Sequence, residues 1–386
     1  MLLNNFIPVD KSSAIRAFLF SLLTDEPVLV ICKNELPLDA ISALKCLKLF
    51  GKNIIKNDCA FEISGKTKKP VKAIDCENSA TMMHLLTGIS VFLGINFDLT
   101  GDKSLMSRNH SDFTDAAKLY NGNFVETELA KESAQLKSFH LISMLKNGGR
   151  LHYKSRTRRN TEDILSKMGV KLIDGENCVE VFPTERLHGY QVEIQLDPSS
   201  AFIAVCAALI FGKSFEISNI YKDDSRITPF CLLKKAGFDV KVKPENGSFT
   251  VSGTPTFKDF CDISVEKSQV SGIIDEIPFI AFMAARTGHN FSVRNASWLR
   301  NKESDRISES VKRFSLLFKT EEFEDGFSVY GAAKHALKGE IPHSHDHRME
   351  MLSFLIAVDN GYYFEMNDSY KISFPLFYKL TEYLKK

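Results

Sequence analysis

No stretch of this chain stays apolar long enough to cross a bilayer; the best run, Ala201 to Phe211, is too short. Met1 to Asp10 holds no basic cluster followed by an apolar stretch, which points away from secretion and membrane insertion. The eight cysteines include no CxxC pair, and several lie in apolar runs, such as Cys32 after Val30-Ile31 and Cys206 between Val205 and Ala207. That usage fits reduced, buried thiols in a cytoplasmic protein rather than a disulfide framework. Net charge is nearly absent too: 49 Lys and Arg stand against 48 Asp and Glu. The broad basic field of a general nucleic-acid binder is therefore missing, and any anion site must concentrate positive charge locally. No segment is rich enough in Pro, Gly or Ser to read as a disordered linker.

What is present is length and repetition. At 386 residues the chain exceeds what one hydrophobic core organises, so two domains are expected. An amphipathic helix, a break, a strand, a polar turn and a second strand recur in stretches starting at Ile41, Glu162, Phe230, Ser310 and, less cleanly, Phe113. A second class of helix is almost wholly apolar, which marks it as buried, and each is opened by a polar cluster. The openers are Lys11-Ser12, Asn78-Ser79, Ser133-Ala134-Gln135, Asp197 to Ser200, Asp275-Glu276 and Asp346-His347-Arg348. Helix N-termini gathered at one end of a domain would aim N–H groups and positive dipole ends into a common space, a natural anion site.

Individual clusters have plain readings as well. Lys11 and Arg16 on the first turns of a helix oppose its dipole unless an anion sits there; the alternative is exposure at a domain edge. Glu303 and Arg306, spaced i and i+3, can be an internal ion pair on a solvated face. Asp275-Glu276 can be an N-cap, or Asp275 can be a base facing substrate. His343, His345 and His347 could ligate zinc, but no Cys or second carboxylate cluster supports them nearby.

Taken in order, eight segments resemble the 5-enolpyruvylshikimate-3-phosphate synthase family of enolpyruvyl transferases, over residues 7 to 378. Residues 7–18 resemble the family's Pro-Gly-x-Lys-Ser-x-Ser-x-Arg-Ala opening, 78–85 its Asn-x-Gly-Thr-x-x-Arg-Leu, and 99–108 its Thr-Gly-Asp-x-Ser-Leu-x-x-Arg. Residues 133–138 are similar to Ser-Ser-Gln-x-Lys-Ser and 197–201 to Asp-x-Ser-Ser-Ala. Asp-Glu-Ile-Pro at 275–278, Leu-Arg-x-Lys-Glu-Ser-Asp-Arg-Ile at 299–307 and Asp-His-Arg-Met at 346–349 are close matches.

The resemblance implies an α/β fold, a two-domain inside-out α/β barrel in which each domain is three helix-and-sheet repeats with buried helices. It places a discontinuous domain at 1–9 plus 224–386 and a second at 10–223, the chain crossing near Val9 and near Tyr221 to Asp224, with substrates in the cleft between them. It implies transfer of the enolpyruvyl group of phosphoenolpyruvate to the 5-hydroxyl of shikimate 3-phosphate, by a monomer needing no metal or organic cofactor. By motif match Lys11, Arg108, Gln135, Arg306 and Arg348 would hold phosphoenolpyruvate. Lys11, Ser12, Arg16, Ser133, Gln135, Asp275 and Lys302 would hold shikimate 3-phosphate, joined by Thr157 or Arg158, with Asn78, Ala80 and Ala134 at matching binding positions. Asp275 would be the base, Glu303 or Lys11 would protonate the methylene carbon, and His347 would orient or relay protons.

The chain departs from the family in places. Ala80 stands where Gly is usual, which should crowd analogues longer than phosphoenolpyruvate and weaken inhibition by glyphosate. His84 replaces an Arg, Ala134 a Ser, Trp298 stands where Asn or Glu is common, and Ile372 replaces a Lys, with Lys371 one residue away. Two other readings are a noncatalytic relative that keeps the anion cleft, and an enolpyruvyl transferase acting on a UDP-sugar. The latter is recognised by a cysteine-bearing loop near Arg108, and Leu99 to Thr114 has no Cys.

Overall fold

The computed structural model describes residues 1–154, 157–258, 261–332 and 336–386. The chain divides into a continuous unit, Val9–Ile194, and a discontinuous unit, Met1–Pro8 with Gln195–Lys386, each with its own hydrophobic core. The second crossing thus lies at Ile194–Gln195, upstream of the expected 221–224. The reason is the helix Pro198–Ile210. It has no polar face, and its Phe202, Ile203, Val205 and Leu209 share a core with Phe215, Ile217 and Phe230. Burying those four side chains contributes on the order of 6–12 kcal/mol before entropy is counted, so the helix cannot be parted from that unit.

Three four-stranded sheets share one plan: a parallel outer pair, then two antiparallel pairings ending in a hairpin. In the continuous unit the orders are Gln191–Glu193, Val28–Ile31, Ala60–Ser64, Asn53–Asn57 and Val125–Glu128, Gly149–His152, Cys178–Val181, Leu172–Asp174. In the discontinuous unit it is Ile263–Val265, Phe291–Val293, Gly326–Tyr330, Lys319–Phe323. A fourth sheet, Phe215–Tyr221, Ser248–Phe257, Phe238–Pro244, has only three strands, but Leu2 bridges Glu216 in parallel where the fourth would lie. This bridge explains why the first residues belong to the discontinuous unit. Four of the recurring stretches form the expected helix and hairpin; the one at Phe113 yields a helix and a single strand, Val125–Glu128. The third repeat of each unit is reduced, to the pair Ile74–Asp75 and Leu99–Thr100 in one, and in the other to helices without a strand among the described residues.

Inside each unit lie three largely buried helices. They are Lys11–Leu19, Ala80–Leu93 and Ala134–Ser143 in the continuous unit, and Pro198–Ile210, Ile277–Arg286 and His347–Asp359 in the other. Five start at a side-chain cap: Asp10, Ser79, Ser133, Asp197 and Asp346 each accept a backbone N–H of the first turn. Gly88 lets two of them approach closely, since a Cβ there would meet the Phe139 carbonyl oxygen at 3.2 Å. Gly94 ends the same helix at φ 65°, where its missing Cβ removes the left-handed penalty. No helix among the described residues is long and apolar enough to cross a membrane.

Candidate active site

In the continuous unit the polar residues gather at the starts of the buried helices. Asp10 caps the first through Ser13 N at 2.7 Å, leaving Lys11 at its head with Nζ 3.0 Å from Asp39 Oδ2. Arg16, one turn on, is buried and donates to the Ser12 carbonyl, the Ser138 hydroxyl and the Thr161 hydroxyl at 2.8–2.9 Å. It therefore ties the helix opened by Lys11 to the one opened by Ser133 and to Asn160–Lys167.

Ser79 caps the second helix, which starts at Ala80. Beside it Asn78 donates to Asp102 Oδ2 at 2.6 Å and accepts from Arg108 Nη2 at 2.9 Å; the same Nη2 lies 3.3 Å from the Ser104 hydroxyl. Arg108 Nε is buried with no hydrogen-bond partner among the described residues. Ser133 caps the third helix, Ala134 begins it, and Gln135 links Thr81 and His84 through its side-chain amide. Burial pulls His84 down to about 3, so its ring is neutral at ordinary pH. Thr157 offers its carbonyl to Lys137 Nζ at 3.2 Å, and Lys137 is also paired with the buried Glu162 at 2.6 Å. Ser155 and Arg156, in the stretch that aligned ambiguously, lie outside the described residues.

In the discontinuous unit the hub is Arg306, the first residue of helix Arg306–Phe314 and almost fully buried. Its guanidinium meets Asp346 at 2.7 Å, Asp275 at 3.0 Å and Glu303 at 2.6 Å. Burial pulls the guanidinium down, but the three carboxylates outweigh it and hold the group above its usual range. Asp346 is lowered in spite of its burial, because Arg306 faces it. Asp275 Oδ1 also lies 3.7 Å from both Lys302 Nζ and Arg348 Nε. Arg348 is buried, with Nη1 lacking a hydrogen-bond partner among the described residues. His347 is buried at the first position of its helix.

The structure revises several sequence expectations. Neither acid of the Asp275-Glu276 pair caps the following helix: Glu276, at the cap position, makes no capping hydrogen bond, and is instead held by the Ser199 hydroxyl and Arg226. Lys302 and Glu303 precede their helix rather than opening it, since Asp305 caps at Ile307 and Ser308; the Glu303–Arg306 pair forms nonetheless. The closely spaced histidines do not converge. His343 binds Glu350, and among the described residues no group of three or more His, Cys, Asp or Glu side chains could hold a metal. Lys371 pairs with Asp368 on the surface. Sequence reasoning assigned no role to Asp346 or Asp39. The signal for Asp346 as a helix cap was available, since an acid at a helix start accepts first-turn N–H groups, but its pairing with Arg306, read as lying on a solvated face, was not.

A model of the family described as EPSP synthase (3-phosphoshikimate 1-carboxyvinyltransferase) matches residues 6–380. The chain belongs to the EPSP synthase family. A 3-phosphoshikimate 1-carboxyvinyltransferase of Helicobacter pylori (strain Shi470) is 30% identical over 420 residues, covering 98% of this chain and 96% of that protein. One from a Nitratiruptor species is 32% identical over 417 residues, covering 98% and 95%. The solved EPSP synthase of Acinetobacter baumannii superposes with a TM-score of 0.78 at 23% identity, covering 100% of this chain and 95% of that one, so the fold is shared. Within the family, His84 and Ile372 become differences to be explained rather than reasons to doubt membership.

Proposed function

We propose that the chain transfers the enolpyruvyl group of phosphoenolpyruvate to the 5-hydroxyl of shikimate 3-phosphate, releasing phosphate, a step of aromatic amino acid biosynthesis. The observation that carries the reading is that, of three buried arginine nitrogens without hydrogen-bond partners among the described residues, one, Arg226 Nη1, still has the Glu276 carboxylate 3.5 Å away, while the other two, Arg108 Nε and Arg348 Nη1, belong to residues matched to phosphoenolpyruvate ligands. Leaving a charged donor buried and unsatisfied costs about 1–3 kcal/mol or more, so each is a place prepared for an oxyanion. Both were marked from sequence as phosphoenolpyruvate ligands.

In this reading Arg108, Gln135, Arg306 and Arg348 hold phosphoenolpyruvate. Ser12, Ser133, Thr157 and Lys302 hold shikimate 3-phosphate, with Lys11 serving both. Arg16 fixes the helix carrying Lys11, and Asn78 aims Arg108. Asp275 takes the hydroxyl proton, and the cations within 4 Å of it supply the electrostatic stabilisation that the tetrahedral adduct needs. Glu303 or Lys11 delivers a proton to the methylene carbon, the methyl so formed gives up a proton again as phosphate leaves, and His347 orients the groups beside it or relays protons. Each carboxylate on Arg306 must yield part of its contact to an incoming anion, so substrate binding exchanges internal ion pairs for external ones.

The test is direct. Purified protein is mixed with both substrates without added metal, and inorganic phosphate and the enolpyruvyl ether are followed together. Equimolar appearance of the two is expected. Binding of either substrate with neither product would favour the noncatalytic relative.

A further inference from the structure

His84 occupies a hydrogen-bond chain that no expected site residue other than Gln135 enters. Leu105 O lies 2.9 Å from His110 Nε2, His110 Nδ1 lies 2.9 Å from His84 Nε2, and His84 Nδ1 lies 2.6 Å from Gln135 Oε1. Gln135 Nε2 in turn reaches the Thr81 hydroxyl at 2.9 Å. The His84 ring stacks on Phe113 with centroids 3.5 Å apart and planes 8° apart, so it cannot swing away.

Hydrogens can be assigned along this chain from its fixed end. A backbone carbonyl only accepts, so His110 Nε2 carries a hydrogen whatever else happens. With the Gln135 oxygen facing His84, Nδ1 of a neutral His84 must donate, and its Nε2 must accept from His110 Nδ1. His110 then carries hydrogens on both nitrogens and is an imidazolium. When His110 loses one proton, Nε2 keeps its hydrogen for Leu105 and Nδ1 becomes an acceptor. The hydrogen of His84 must then sit on Nε2, leaving Nδ1 as an acceptor. Gln135 can answer it only by turning its amide nitrogen inward and its oxygen toward the Thr81 hydroxyl.

Resting on the function proposed above, we infer that His84 is a positioning residue through which the charge of His110 sets the orientation of the Gln135 side-chain amide. The second amide hydrogen, the one available to an anion, lies on the half-buried Thr81 side when His110 is charged. It lies against the buried His84 ring when His110 is neutral. Other charges near this group are Arg108 and Lys131, with Asp112 paired to Lys131. Both cations act on His84 in the same direction as burial, which keeps its ring neutral.

The experiment is histidine nitrogen NMR on the full chain from about pH 5 to about pH 8, the interval in which histidine changes charge. Signals are assigned with His110→Gln and His84→Gln, and KM is measured for each substrate across the same range. His84 is expected to stay neutral while its hydrogen moves from Nδ1 to Nε2 as pH rises. KM for the substrate held by Gln135 should rise by roughly three- to tenfold, the worth of one hydrogen bond. In His110→Gln, whose amide oxygen can accept from His84 and whose nitrogen can donate to Leu105, the tautomer and the KM should both lose this pH dependence. A His84 tautomer that does not change, or a KM trend that persists in His110→Gln, overturns the inference. The tautomer readout needs no turnover, so it stands or falls apart from the assigned activity.

Discussion

The two units bury the same kind of helix, but the arginines near it are given different partners. In the continuous unit the two arginines of the candidate site have neutral acceptors, Arg16 two hydroxyls and a carbonyl, Arg108 an amide oxygen and a hydroxyl, whereas the lysines Lys11 and Lys137 pair with Asp39 and Glu162. In the discontinuous unit arginines rest on carboxylates: Arg306 on three, Arg226 on Glu276, Arg313 on Glu309. A neutral acceptor, as at Arg108, does not cancel a cation's charge, whereas a carboxylate does so until something displaces the pair. If the proposed function holds, the arginines of the continuous unit would serve to attract an anion, and those of the discontinuous unit to hold acid and base groups in a defined state until substrate arrives.

The largest effect should come from Asp275 and be specific to its unit. Asp275→Asn keeps the shape and removes the base, so kcat should fall by about 10²–10⁴-fold, the usual worth of general base catalysis. Asp39→Asn removes the carboxylate charge beside Lys11 in the other unit and should lower kcat by less than about tenfold, because the amide oxygen still accepts from Lys11 Nζ. Steady-state kinetics of the two variants would break the contrast if Asp39→Asn proved the more damaging.

Acid should separate the units next. His84 is pushed down to about 3 and His140 to about 4, both chiefly by burial, with the Tyr120 hydroxyl 2.5 Å from His140 Nδ1. A group whose folded value is depressed contributes stability above its unfolded value, near 6.5 for histidine, and loses it as pH falls through the folded one. At about 1.4 kcal/mol per pH unit and site, the continuous unit should lose several kcal/mol between about pH 6.5 and about pH 4. Asp346, a buried acid of the discontinuous unit, is lowered from an already acidic range, so its contribution survives until lower pH. Hydrogen exchange should therefore show amides of 9–194 losing protection first on acidification. Simultaneous loss in both units would mean they do not differ in this way.

Apolar runs announced the buried helices, since stretches such as 202–209 have no polar face to expose, and the hairpins after the amphipathic helices followed from turn residues. The crossing at 194–195 was hidden because strand Gln191–Glu193, its last element before the break, pairs with Val28–Ile31, far away in sequence. Likewise the lysine, arginine and acid positions of the candidate site stood out as clusters, but their partners did not. Asp346 and Arg306 are forty residues apart, and only the fold makes them neighbours. His110 was illegible for the same reason: its meaning depends on His84, Leu105 and Gln135 meeting it in space.

Substrate affinity offers a symmetrical test of Arg108 and Arg348, each with a buried nitrogen that lacks a hydrogen-bond partner among the described residues. Arg108→Ala and Arg348→Ala each remove a charged donor worth about 1.5–3 kcal/mol, so KM for phosphoenolpyruvate should rise roughly 10- to 100-fold in each. Arg348→Ala also takes a cation from Asp275 and should lower kcat as well, which Arg108→Ala should not. Equal kcat losses in both would dissolve the distinction between an attracting unit and a reacting one.

The smallest predicted difference lies in the caps themselves. Asp197 accepts from Ser200 N at 2.7 Å and carries a charge at the positive end of its helix; Ser133 accepts from Leu136 N at 3.4 Å and carries none. Removing a good cap costs about 1–2 kcal/mol, and the longer neutral contact should be worth about half a kcal/mol. Urea denaturation with hydrogen exchange read separately for each unit should thus find Asp197→Ala the more costly. The Ser133 helix start would then be the looser of the two, consistent with a terminus left open for an anion to complete. A Ser133→Ala cost equal to that of Asp197→Ala would show that this terminus is finished by its own side chain and needs no ligand.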